Sequence, residues 1–160
     1  METYALLLAA TLNAGTVLAI AALGLLINEK SGVVNLGAEG MMLCAAIAGY
    51  ATVVHTGSDV LGFAAGMVTG GLLALIFGAL VIGLNTNQYP TGLALSLFGV
   101  GFSAFVGTGY VQAKLPERMK FEVPGLADLP FIGPALFKQH PMVYLVILFT
   151  IALIWFLQRS

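Results

Sequence analysis

From Val60 to Ala113 the chain carries no aspartate, glutamate, lysine or arginine. A transmembrane helix needs about 20 mostly apolar residues, so this one stretch is long enough to cross a bilayer twice. Two further windows, Thr3 to Asn28 and Gln139 to Gln158, are equally free of charge. A charge at the bilayer centre costs at least about 2.5 kcal/mol, which gives the exclusion a physical cause. The composition agrees: 59% of residues are hydrophobic and 8% charged, against about 25% charged in a soluble domain. A water-soluble fold of 160 residues has too much surface relative to its volume to hide that apolar content.

In lipid, only helices or closed barrels satisfy every backbone polar group. Barrel strands alternate apolar and polar residues, whereas the segments here are apolar on all sides. The chain is therefore expected to be an all-α membrane protein, a polytopic bundle of about five transmembrane or re-entrant helices. The segments run from about Tyr4 to Ile27, Val33 to Val54, Val60 to Leu84, Pro90 to Val111, and Pro141 to about Gln158. Short polar turns at Asn28–Gly32, His55–Asp59 and Asn85–Gln88 separate the first four. The stretch 112–139 holds seven of the thirteen charged residues and four of the six prolines, and reads as an extended loop outside the hydrocarbon. Trp155 beside Arg159 suits an interfacial anchor.

Small residues recur at helical spacing. Gly62, Gly66 and Gly70 form a double GxxxG, and Gly99, Ser103 and Gly107 repeat the spacing. Such stripes let helix backbones approach closely in lipid, so these six are read as helix-packing positions.

Glu39 is the only aspartate, glutamate, lysine or arginine placed inside an apolar segment, and an intramembrane carboxylate is a functional candidate by default. It stands in Asn35-Leu36-Gly37-Ala38-Glu39-Gly40. One reading is an irregular backbone lining a pathway. The other is a helix start at the interface, with Asn35 capping and Glu39 favouring the helix dipole. Asn87 and Gln88, ahead of Pro90 and Gly92, pose the same choice between a helix start and a second polar break facing the first. Asn35, Glu39, Asn87 and Gln88 are the candidate pathway residues.

The net charge of −1 gives nucleic-acid binding no electrostatic support. Cys44, the lone cysteine, reads as a small buried hydrophobe. No signal-peptide pattern precedes the first segment. His55 and His140 have no close partners in sequence, so no metal site is expected. No catalytic triad, paired carboxylates or phosphate-binding loop occurs, so neither an enzyme nor an ATP-hydrolysing motor is expected on this chain.

The residues Leu23 to Tyr50, LGLLINEKSGVVNLGAEGMMLCAAIAGY, resemble the signature of permease subunits of bacterial ABC importers. The nearest branch handles nucleosides and simple sugars, within the ribose and branched-chain amino-acid permease superfamily. Ser31 to Met42 is the most specific part. Asn87-Gln88 followed by Gly92-Leu93-Ala94-Leu95 is a second match, and Val123 to Tyr144 a third. The chain departs from the family at Tyr89-Pro90, where a β-branched pair is usual, and at Ser96, where asparagine is frequent.

The resemblance implies a multi-pass protein of the plasma (inner) membrane that forms part of a translocation pathway. It implies three partners: a cytoplasmic ABC ATPase that binds the ATP, a second permease subunit and an extracytoplasmic substrate-binding protein. It further implies that residues 1–160 are the N-terminal half of one longer permease domain. The family's ATPase-coupling segment would follow shortly after Ser160. Alternatives are a branched-chain amino-acid permease and a small membrane scaffold held together by its glycine stripes. The loop at 112–139 carries Lys114, Arg118, Lys120 and Lys138, while the opposite face has only Lys30 and Arg159. Charge counting would put that loop in the cytoplasm; the resemblance puts it outside, and this is the orientation carried forward.

Overall fold

The computed structural model describes residues 2–113 and 141–159, so the expected loop at 112–139 lies outside the described residues apart from its first two positions. Among the described residues all regular structure is helical: α1 (Glu2–Lys30), α2 (Ala38–Thr56), α3 (Asp59–Gly78), α4 (Gln88–Gly107) and α5 (Pro141–Arg159). A π-helical turn, Ala79–Gly83, prolongs α3, and a 3-10 turn, Thr108–Tyr110, closes α4. Among the described residues four spans are long and apolar enough to cross a membrane: Leu7–Lys30, Ala38–Thr56, Asp59–Gly83 and Gln88–Tyr110. A shorter apolar stretch covers Val143–Arg159. The chain is an all-α, multi-pass membrane protein.

Burial is inverted relative to a soluble fold. Phe105 is 80% exposed and Val60 and Met67 are each 72% exposed, while Met41, Cys44, Phe77 and Val143 are the buried apolar residues among those described. Lipid tails are as apolar as these side chains, so lipid-facing exposure carries no penalty and helices must associate by close packing.

The chain divides into two compact units. One comprises Met1–Ile27 and Arg118–Ser160 and contains most of α1 and all of α5. Three of its threonines are satisfied locally. Thr11 and Thr16 donate to the carbonyls of Leu7 and Leu12, and Thr150 donates to that of Val146, each one turn back along its own helix. The Arg159 guanidinium lies 5.0 Å from the centre of the Trp155 ring, a cation–π contact.

The second unit, Asn28–Glu117, is organised around α2, which packs against both α3 and α4; α3 and α4 touch each other only sparsely. Gly57 ends α2 with φ +68°, its N–H bonded to Val53 O at 2.8 Å. Only glycine adopts this left-handed cap without strain. Ser58 then caps α3, its Oγ accepting from Leu61 N–H, so two residues reverse the chain. The α2–α3 seam is made of small residues. A Cβ at Gly62 would meet the Val53 side chain and lie 3.0 Å from Gly49 O, and one at Gly66 would lie 3.3 Å from Ala45 O. Gly70 continues this line, 3.8 Å from Ala45 Cβ.

The end of α3 is irregular. Leu84 N–H bonds to Ala79 O and Thr86 N–H to Leu80 O, both at 3.1 Å, and Asn85 has φ +52°. α4 begins at Gln88 rather than Pro90. Proline is tolerated there because first-turn N–H groups have no partner within the helix.

Candidate functional site where two polar interruptions meet

The break before α2 and the break before α4 come together. α2 starts at Ala38, so Val33–Gly37 is non-helical backbone whose amides need other partners. Val34 N–H donates to Gln88 Oε1 at 2.9 Å. Gly37 N–H donates to Asn35 Oδ1 at 2.9 Å, and the Asn35 amide nitrogen faces Met41 Sδ at 3.7 Å. Asn35, 8% exposed, is the buried polar side chain of the described residues. It forms a local turn just ahead of the helix. The N-cap position itself is Gly37, which has no side-chain cap.

The breaks are held together by backbone approach. A Cβ at Gly92 would lie 2.9 Å from both Leu36 N and Gly37 N, and one at Gly37 would lie 3.1 Å from Gly92 O. One turn on, a Cβ at Gly40 would lie 2.5 Å from Leu95 O and 2.6 Å from Ser96 Cα, and one at Gly99 would strike the backbone of Gly40. Further along, Gly107 relaxes to 3.9 Å from Ile47 Cδ1. These contacts run in the same order on both helices, so α2 and α4 are parallel, and α3 is antiparallel to both.

The four candidate pathway residues therefore occupy one end of this unit, in different environments. Asn35 is buried and Gln88 half-buried, each spending its oxygen on a backbone N–H. Asn87 is exposed and caps α4, its Oδ1 accepting from Tyr89 N–H at 3.1 Å. Glu39 is exposed in the first turn of α2, where a carboxylate favours the dipole. It has no hydrogen bond or ion pair among the described residues. Thr86 and Thr91 pair their hydroxyls at 3.0 Å nearby. The end thus presents a carboxylate, two hydroxyls and the NH2 group of Gln88, donors and acceptors suited to a hydroxylated or base-bearing solute. Beside it an open, apolar groove of about 470 Å³ runs between α3 and α4, lined by Phe77, Leu80, Thr91, Leu95 and Phe98 among others.

The helix-packing positions separate as well. Gly62, Gly66 and Gly70 face α2, Gly99 meets Gly40, and Gly107 is in ordinary contact with Ile47. Ser103 is half-buried on α4. Gly37, Gly40 and Gly92, each of which has facing backbone within 3.1 Å of a Cβ, were not among the packing positions read from the sequence. Their signal was the small residue recurring every three or four positions from Gly37 to Gly40 and Cys44, and again from Gly92 to Ser96 and Gly99.

At the opposite ends of α2 and α4 a second cluster has formed that sequence spacing could not reveal. Tyr50 Oη donates to Ala113 O at 2.7 Å. His55 Nε2 lies 3.0 Å from Tyr110 Oη. Both the Tyr50 and His55 rings meet Tyr110 edge-on, with centroids 6.2 and 5.8 Å apart. His140 lies outside the described residues. Among the described residues no group of three potential metal ligands exists.

Residues 7–160 match the family described as branched-chain amino acid transport system / permease component. A putative glucose ABC transporter permease of Haloferax volcanii is 42% identical over 100% of this chain and 50% of its own length. A guanosine ABC transporter permease of Bacillus subtilis is 31% identical over 98% of this chain and 53% of its own length. The chain spans about half the length of these curated relatives. No solved structure matches.

Proposed function

The chain belongs to the permease family of branched-chain amino acid transport systems, and from that premise we propose that it forms part of the translocation pathway of an ABC importer for a nucleoside or simple sugar. The observation that carries this reading is the similarity along the whole chain to two permeases whose names specify glucose and guanosine. Both solutes are polyols, and both need hydrogen-bonding groups in place of water when they cross a bilayer. Glu39 and the NH2 groups of Asn87 and Gln88 supply such groups at the meeting of α2 and α4, beside the turn that the buried Asn35 holds in place.

ATP would bind to a separate cytoplasmic ATPase, and this chain would contribute binding and movement rather than catalysis. A second permease subunit and an extracytoplasmic binding protein would complete the importer. In such a system the motor shifts the permease between inward- and outward-open states, and solute affinity must differ between the two.

Uptake by cells expressing the complete reading frame with its neighbouring transport genes tests the reading. Labelled guanosine, glucose and leucine are offered in parallel. Accumulation of guanosine or glucose that is lost when the ATPase is disabled supports it. Accumulation of leucine alone, or of none of the three, overturns it.

A further inference from the structure

The two ends of the α2–α4 pair are held by different physics. At the N-terminal ends the contact is backbone to backbone. Gly40 lies against Leu95 and Ser96, and Gly99 against Gly40, with no room for a Cβ. The buried Asn35 and the Gln88 oxygen pin the adjoining loop. Close-packed interfaces of this kind have few intermediate arrangements, because a small separation forfeits much of the dispersion attraction.

Towards the C-terminal ends the seam loosens. Gly107 makes only an ordinary contact with Ile47, 3.9 Å from a Cβ, where Gly99 had no room for one. Beyond Gly107 the helices are bridged by side chains: Tyr50 to Ala113, and His55 to Tyr110. The His55–Tyr110 bond is exposed and the Tyr50 bond only part-buried, so water can replace the partners lost on opening. Each such bond shifts an open–closed ratio by about two- to twelvefold, which leaves it readily reversible.

We propose that α2 and α4 form a hinged pair, fixed at Gly37–Gly40 against Gly92–Gly99 and closed at the other end by a releasable clasp of Tyr50, His55 and Tyr110. Opening swings the Tyr110–Ala113 end of α4 away from α2 while the polar breaks stay together. The clasp thereby couples movement at one membrane face to a seam that remains shut at the other. This inference concerns the helix pair itself and holds whichever solute is carried.

The test uses the full-length protein in lipid nanodiscs, with spin-label pairs at two levels. One pair, at Thr56 and Gly109, reads the clasp; the other, at Met42 and Leu97, reads the fixed end. All four positions are exposed, and Cys44, at 1% exposure, does not compete for label. Tyr110→Phe keeps the edge-on ring contacts and removes the bond to His55. Tyr50→Phe removes the bond to Ala113. Each is expected to raise the open fraction at 56/109 about fivefold, the equivalent of about 1 kcal/mol, with the 42/97 distance unchanged. Two variants guard against one failing to fold. An unchanged 56/109 distribution in the folded variants overturns the proposal, as does equal broadening of both pairs.

Discussion

Replacing Gly40 with alanine perturbs the contact on which the polar end depends. The new Cβ would lie 2.5 Å from Leu95 O and 2.6 Å from Ser96 Cα. Carbon contacts settle at about 3.5–4.0 Å, so α2 and α4 must part by about 1 Å. Both obstacles are backbone, and no side chain can rotate away to make room. A gap of about 0.5–1 Å forfeits roughly a quarter to a half of the attraction at each neighbouring contact, and Gly37, Gly92 and Gly99 share this seam. Overpacking costs about 1–3 kcal/mol, and the better helix propensity of alanine returns up to about 1 kcal/mol. The expected net loss is about 2 kcal/mol, because rigid backbone sets the upper end of the overpacking range. Gly101→Ala is the control: it is the same substitution on the partner helix α4, with nothing within 4 Å of the added carbon. Thermal melting of the full-length protein in detergent, followed by size-exclusion chromatography, compares the two. Gly40→Ala should melt several degrees below the parent and Gly101→Ala at or above it. Equal melting temperatures for the two variants would refute the reasoning.

Asn35→Ala strands the Gly37 N–H in a buried turn and should cost about 1–3 kcal/mol, whereas Asn87→Ala removes an exposed cap and should cost about 1 kcal/mol; chemical denaturation of the two variants ranks them. Gln88→Leu leaves Val34 N–H without its acceptor, while Gln88→Glu keeps an oxygen in place, so the leucine variant should melt lower than the glutamate variant. Asn85→Gly relieves a positive φ and should match or exceed the parent in stability by up to about 1 kcal/mol, read from the same melts. With the long loop outside, Ser58→Cys should react with an impermeant thiol reagent added to intact cells and Ser31→Cys should not; the reverse pattern would invert the topology.

The membrane architecture was legible because lipid imposes a coarse rule. Charges are absent wherever a helix crosses, and the windows bounded by Asp59 and Lys114 could be read directly. The glycine stripe on α3 was legible for a similar reason, since Gly62 and Gly66 repeat at one-turn spacing. What the sequence concealed was pairing between distant segments. Nothing in the order of residues says that Gln88 would accept from Val34, or that Gly40 would meet Gly99. His55 and Tyr110 were equally unreadable, because two helices must first be set parallel to bring them together. At Asn35–Glu39 the two readings divide between residues. Asn35 is buried in a turn at the break, and Glu39 is exposed in a first helical turn. The boundary of α4 moved to Gln88 because a first-turn proline starts a helix as readily as it ends one.

Reactivity at position 39 tests most directly the claim that the joined polar breaks line a translocation pathway. Glu39→Cys is placed in the full-length importer, and its modification by an impermeant thiol reagent is followed in right-side-out and inside-out vesicles, with and without transported solute. The account predicts that the cysteine reacts from at least one side, that solute slows the reaction, and that modification stops uptake. A cysteine that never reacts, or one whose rate is indifferent to solute and whose modification leaves uptake intact, would contradict it.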